Sequence, residues 1–195
     1  CLKEDTTMAN KDAAFGLKPI GKIGQNADNN GLSEYDIAAS ATAIYFQDPV
    51  EILATGTIGV AAAGDTTILG SLNGVFFTDA NTSKPTFANH LDASNAATDI
   101  KGFVTDDPYQ RYEIQADGAT AAADVGLNAD FVYAAGSSPD YVSKVELQTS
   151  DQKTGTAQLR IIGISKDPEN NTAGSANVNL VVYINEHQFK QTTGI

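Results

Sequence analysis

Val178-Asn179-Leu180-Val181-Val182-Tyr183-Ile184-Asn185 is the stretch that decides the fold. Val178, Leu180, Val182 and Ile184 recur at every second position, the period of a strand with one face in a core. A helix would scatter the same four side chains around its axis. The run is rich in β-branched residues, which suit a pleated, half-buried surface. Outward from it the same signature recurs, and strands are predicted over 42–46, 50–60, 66–78, 100–105, 111–115, 130–134, 142–149, 157–165 and 177–186. In 142–149 the alternation is imperfect, with Val142, Lys144 and Glu146 set against Val145 and Leu147. Ala63-Gly64-Asp65, Ala116-Asp117-Gly118, Gly136-Ser137-Ser138-Pro139-Asp140 and the stretch 150–155 separate the runs with turn-forming residues. Helix signals are thin: alanine-rich 119–125, stopped by Gly126, and 93–97, each good for a turn or two. The expected fold is mainly β, an antiparallel β-barrel or sandwich with an extended N-terminal arm and little helix.

The arm is predicted over residues 8–40, in front of a β domain at 41–195. With 195 residues and 42% hydrophobic content, the chain can bury one sizeable core. In the arm, Phe15, Leu17, Ile20 and Ile23 follow no clean period, and Gln25-Asn26-Ala27-Asp28-Asn29-Asn30-Gly31 is a run of turn formers. Such a segment suits docking on another surface, a neighbouring subunit included; the competing reading of 8–25 is a disordered tail. Met8 is the only methionine and is followed by Ala-Asn-Lys. Lys3-Glu4-Asp5 can be encoded as a purine-rich ribosome-binding sequence, so residues 1–7 read as a translated leader. The rival reading makes Cys1 the lipidated first residue of a bacterial surface lipoprotein.

Charge and motif content exclude several classes. Net charge is -12 with a pI near 4.3, and the 12 Lys and Arg are scattered singly along the chain. That is wrong for direct nucleic-acid binding, which needs clustered cations. A single cysteine allows no intrachain disulfide. No apolar run approaches the roughly 18 residues of a membrane helix. His90 and His187 lack partners at metal-ligand spacing and read as ordinary surface or interface residues. Gly163-Ile164-Ser165-Lys166-Asp167 lacks the second glycine of a nucleophile elbow. Gly21-Lys22-Ile23-Gly24 does not match a phosphate loop. Asn26-x-Asp28-x-Asn30-Gly31 mimics half a calcium loop, but Ile37 stands where the bidentate Glu is needed, so it reads as a turn. Acidic loops such as Asp106-Asp107 leave calcium open elsewhere. No catalytic, cofactor-binding or metal residue is assigned, and the expectation is a protein that is not an enzyme. A weak echo relates Gly102-Phe103-Val104-Thr105-Asp106-Asp107-Pro108 to Gly163-Ile164-Ser165-Lys166-Asp167-Pro168, with Asp48-Pro49 as a third Asp-Pro.

From Met8 onward the chain resembles small virion structural proteins of tailed phages, environmental and marine ones among them. The stretches that carry this are Gly16-Leu17-Lys18-Pro19-Ile20-Gly21, Asp48-Pro49-Val50 through Gly56-Thr57-Ile58, Gly70-Ser71-Leu72-Asn73-Gly74-Val75-Phe76-Phe77-Thr78-Asp79, and Leu159-Arg160-Ile161-Ile162-Gly163 through Val182-Tyr183-Ile184-Asn185-Glu186-His187. The resemblance implies a capsid decoration or stabilising protein on the capsid exterior. Its partners would be capsid protein subunits, and it would bind as a homo-oligomer, a trimer favoured. The contact candidates are the arm residues Phe15, Leu17, Ile20 and Ile23 and the aromatics Phe76, Phe77, Tyr109 and Tyr112. One of Phe76 and Phe77 is expected to face the core, since neighbours on a strand point to opposite sides. The alternatives are a major capsid protein of the tailed-phage fold, which needs a long spine helix, and a surface lipoprotein, adhesin or glycan-binding β module. The last would need an aromatic platform, for which Tyr109-x-x-Tyr112 is the one candidate.

Overall fold

The computed structural model describes residues 9–23, 31–192 and 194. It is mainly β and built from antiparallel sheets in a sandwich-like arrangement, with no α-helix among the described residues. The strands are β1 (Lys18–Lys22), β2 (Ser33–Asp36), β3 (Pro49–Ile52), β4 (Ile58–Val60), β5 (Gly70–Thr78), β6 (Pro85–Ala88) and β7 (Lys101–Thr105). They continue as β8 (Gln110–Gln115), β9 (Asn128–Ala129), β10 (Phe131–Val132), β11 (Glu146–Leu147), β12 (Leu159–Ile164) and β13 (Asn179–Ile184).

The first sheet runs β1-β8-β13-β12-β9. The stretch quoted above is its middle strand, β13, and Val178, Leu180, Val182 and Ile184 are all fully or almost fully buried. Val182 sits opposite Tyr112 on one side and Ile161 on the other, so one row of inward side chains crosses three strands. Leu17, Ile68, Phe131 and Leu147 complete this core. The second sheet runs β2-β7-β5-β3-β4, with β6 added to the far half of β5. Ile44, Val50, Leu69, Leu72, Val75, Leu91 and Val104 form its core. A single bridge between Ile37 and Ile58 brings the β2 and β4 edges together without closing a barrel. Gly102 lies beneath that seam, where a Cβ would come within 2.8 Å of the Ile58 Cδ1 and 3.0 Å of the Ile37 Cδ1.

Neighbouring residues tie the two layers together. Ile68 belongs to the first core and bridges to His187, while Leu69 belongs to the second. The Gln188 amide acts as a strand partner for β3. It accepts from the Ile52 N–H at 2.8 Å and donates to the Ile52 carbonyl at 3.0 Å.

The segment 8–40, expected as an extended arm, is in its described part paired along the sheet edges. β1 is an edge strand of the first sheet on β8, β2 is an edge strand of the second on β7, and Leu17 is fully buried. Residues 10–13 are strapped down by buried amides: Asn10 donates to the Thr172 and Ala176 carbonyls, the Lys11 N–H donates to Asn170 Oδ1, and the Ala13 N–H donates to Gln115 Oε1. These strands are invisible to periodicity because each is short and β1 carries Pro19 and a bulge at Gly21. β6, with Pro85 at its start, escaped for the same reason. Residues 1–8 and 24–30, which hold the leader reading, Cys1, Met8 and the Asn26-Asp28-Asn30 loop, lie outside the described residues.

Elsewhere most of the expected strands appear, some shortened, but 42–46 forms only isolated bridges at Ile44 and Phe46, and 50–60 folds back on itself as the antiparallel pair β3 and β4. Of 119–125 only Ala122–Asp124 forms a 3-10 turn, and 93–97 forms no helix. The Asp-Pro echo is turn chemistry. Asp107 and Asp167 each accept from the backbone N–H two residues on, at 2.8 and 3.1 Å, and each closes a turn with the residue three on. Asp48 behaves differently, being buried in front of β3.

Candidate interaction surfaces

The outer face of the second sheet carries the most exposed large apolar side chain among the described residues. Phe87 on β6 is 75% exposed. Phe87 stands opposite Phe76 in the β5–β6 register, and their rings meet at 4.7 Å between centroids. Phe103 on β7 stands opposite Gly74, two residues before Phe76, with its ring 6.5 Å from that of Phe87 and nearly parallel to it. Three phenylalanines from three strands thus make one apolar patch. The neighbouring residue Phe77 turns inward and packs on the second core. The adjacent pair therefore splits as the strand geometry demands. Lys101, on β7 directly opposite Phe76, pairs with Asp36 at 2.7 Å and Glu34 at 3.3 Å on β2, so a polar rim borders the apolar centre. Single exposed apolar residues are ordinary, but a contiguous aromatic group rimmed by charge is the composition of a contact surface.

The other contact candidates are dispersed. Ile20 and Ile23 are exposed at 40% and 37%, on or next to β1, and Phe15 is half-buried. Leu17 is fully buried and belongs to the first core, not to an interface. Tyr112, expected to be exposed, is fully buried on β8, with its hydroxyl donating to the Thr105 carbonyl at 2.8 Å. Tyr109 is exposed, three residues away and on the opposite side, so Tyr109 and Tyr112 form no platform. Phe87 and Phe103 were missed by sequence reading. Phe87 belongs to a strand hidden by its proline, and Phe103 sits in an expected strand whose outward face could not be told from its inward one.

The histidines also differ from expectation. His90 stacks flat on Tyr141 at 3.8 Å and is hydrogen-bonded to Asn89, at half-burial. His187, expected at the surface, is fully buried. Its Nδ1 accepts from the Phe189 N–H at 3.1 Å, and its Nε2 has no partner. Burial pushes its pKa down to about 4, holding it neutral. Asp48 is fully buried as well; its Oδ2 accepts from the Tyr45 N–H at 2.8 Å and the Tyr133 hydroxyl at 3.3 Å, while Oδ1 has no partner. Desolvation without a cation beside it pushes this carboxyl up to about 6. The two groups are packed into the fold rather than converging on a shared cleft. Among the described residues no three His, Cys, Asp or Glu side chains are grouped to hold a metal ion, and no helix is long and apolar enough to cross a membrane. No protein-family model, no curated protein and no solved structure matches the chain.

Proposed function

We propose that this protein is a non-catalytic structural subunit of a tailed-phage virion, a capsid decoration or stabilising protein that works through contacts with capsid subunits and with copies of itself. The observation that carries this reading is the Phe76–Phe87–Phe103 patch. Fully burying one exposed phenylalanine is worth about 2 kcal/mol. Such a contact is weak alone and effective when repeated over a lattice, which is how a shell-binding protein gains avidity. The β-rich fold and the likeness to small head proteins support the same role. Without a long helix among the described residues, the major-capsid alternative is the weaker one. The separation of Tyr109 from Tyr112 counts against the glycan module.

The test is co-sedimentation with shells assembled from a tailed-phage major capsid protein of the same genome, together with light scattering of the free protein. The expected result is saturable binding, with a trimer in solution or on the shell. Phe87→Ser should weaken binding about tenfold and leave the fold intact, because Phe87 is exposed. Absence of binding, unchanged binding by the variant, or closed shells formed by this protein alone would each overturn the proposal.

A further inference from the structure

The outer face of the first sheet bears a second kind of surface. Paired residues on neighbouring antiparallel strands point the same way. Arg160 on β12 pairs with Tyr183 on β13, which pairs with Arg111 on β8, so both arginines of the chain and a tyrosine form one outward row. Lys190 lies over the Tyr183 ring at 4.9 Å and over the Tyr109 ring at 5.2 Å, and Arg160 lies over Tyr183 at 6.0 Å. Lys166 and Lys18 border the same cleft as Arg111, a space of about 440 Å³.

Two features mark this as more than a solvated face. The chain has 24 acids for 12 bases, so carboxylates are plentiful. Yet among the described residues Arg111, Arg160, Lys166 and Lys190, gathered on one face, have no carboxylate within ion-pair distance, as is also true of the scattered Lys11, Lys84 and Lys144, whereas Lys18, Lys22, Lys101 and Lys153 do. Arg160 spends its Nε on the Asn128 amide oxygen, and Lys190 donates to the Ile184 carbonyl. Second, Arg111 is held in a built position. Its guanidinium lies against Gly21, at the β1 bulge, where a Cβ would come within 3.1 Å of Nη2 and where φ is +144°. Its Nε is buried and has no partner.

We infer that this face of the first sheet is a docking site for an acidic peptide segment of a partner protein, with a carboxylate received in the cleft by Arg111, beside Lys166, and further acidic side chains received along the outward row by Arg160 and Lys190. With Nε buried, it is the terminal guanidinium nitrogens of Arg111, paired with no carboxylate, that are left to receive one. Two carboxylates line the cleft and both are already occupied: Glu113 by Lys18 at 3.1 Å and by the Ser165 hydroxyl, and Asp167 by the Glu169 N–H at 3.1 Å and the Asn179 amide at 3.3 Å. Their charge, and the net -12 of the chain, disfavour a polyphosphate and admit a segment with spaced single charges. This rests on the proposed role in protein contacts and names the chemistry of one partner, but its test needs no shell.

The test is fluorescence anisotropy of the isolated protein with a fluorescein-labelled peptide of alternating glutamate and glycine at low ionic strength, in competition with inorganic phosphate and with a short DNA duplex. Wild type is expected to bind, and added salt to weaken binding. Arg111→Gln should lose about tenfold in affinity and Arg111→Lys less, whereas Lys101→Gln on the other sheet should change nothing. If Arg111→Gln fails to fold, the surface double variant Lys166→Gln/Lys190→Gln must show the loss. No binding by wild type, equal loss in Lys101→Gln, or stronger competition by phosphate or DNA than by unlabelled peptide would overturn the inference. Phe87→Ser should bind the peptide normally, so failure of the patch and failure of this cleft are separable.

Discussion

Single residues in the two cores set how stability depends on pH. The folded chain holds a proton on Asp48 up to about pH 6, whereas the ordinary carboxyl value is 3.8. Stability from this group therefore rises as pH falls through that window. His187 runs the other way. Below its ordinary 6.5 the unfolded chain takes up a proton that the folded chain refuses until about 4, so stability falls as pH drops between those values. Each shift spans about two units and is worth about 3 kcal/mol, so the two nearly cancel in the wild type. Urea denaturation of Asp48→Asn and His187→Gln across this range exposes each limb. Relative to wild type, Asp48→Asn should become less stable by about 3 kcal/mol from pH 6.5 to 4, and His187→Gln should move in the opposite direction. A flat difference for either would show that its group does not titrate as its burial requires. Gly70 is a steric counterpart: a Cβ there would lie 2.0 Å from the Thr105 carbonyl oxygen. Gly70→Ala should cost about 3 kcal/mol or more, read from the denaturation midpoint.

Among the elements, legibility tracked the length of the alternating run. β13 could be read at sight because four alternate apolar residues face one core in a central strand. β1, β2 and β6 have only four or five residues each and are defined by what they pair with, information that lies far away in the sequence. The same holds for the segment 9–17. Its sequence is aperiodic, but Gln115, Asn170 and Asn179 supply a buried amide network for its backbone. Asn170 Nδ2 donates to the Lys11 carbonyl at 2.8 Å and Gln115 Nε2 to the same oxygen at 2.9 Å. Asn170→Ala should cost about 2 kcal/mol by leaving the Lys11 N–H without a partner, and should raise hydrogen exchange at Lys11 and Ala13 before the sheets open. Unchanged exchange there would show that the strap is held by other contacts. The contact surface was half legible for a related reason. Phe76 was foreseeable from its strand, but the patch needs Phe87 and Phe103, which only the β5 pairings bring beside it.

At the scale of the whole molecule, two cores raise the question of whether the chain unfolds in one step. The described contacts argue for one. Ala61 and Ile68 pack in the first core while their sequence neighbours Val60 and Leu69 pack in or against the second, so the connection between β4 and β5 cannot leave one core without disturbing the other. Leu17 closes the first core, yet its carbonyl accepts from the Ser71 hydroxyl on β5 at 2.6 Å, and its N–H donates to the Gln47 carbonyl just before β3. Gln188, beyond β13, holds both polar groups of Ile52. Each link ties a residue of one layer to backbone of the other, and none is a flexible linker. Calorimetry should therefore give a single transition with equal calorimetric and van't Hoff enthalpies. Ile68→Ala, which removes side-chain volume from the seam, should lower that one transition by about 3 kcal/mol without splitting it. Two resolved transitions in the wild type would mean that the layers fold as separate units. The Phe76–Phe87–Phe103 patch and the Arg111 cleft would then report on independent modules instead of two surfaces of one cooperative unit.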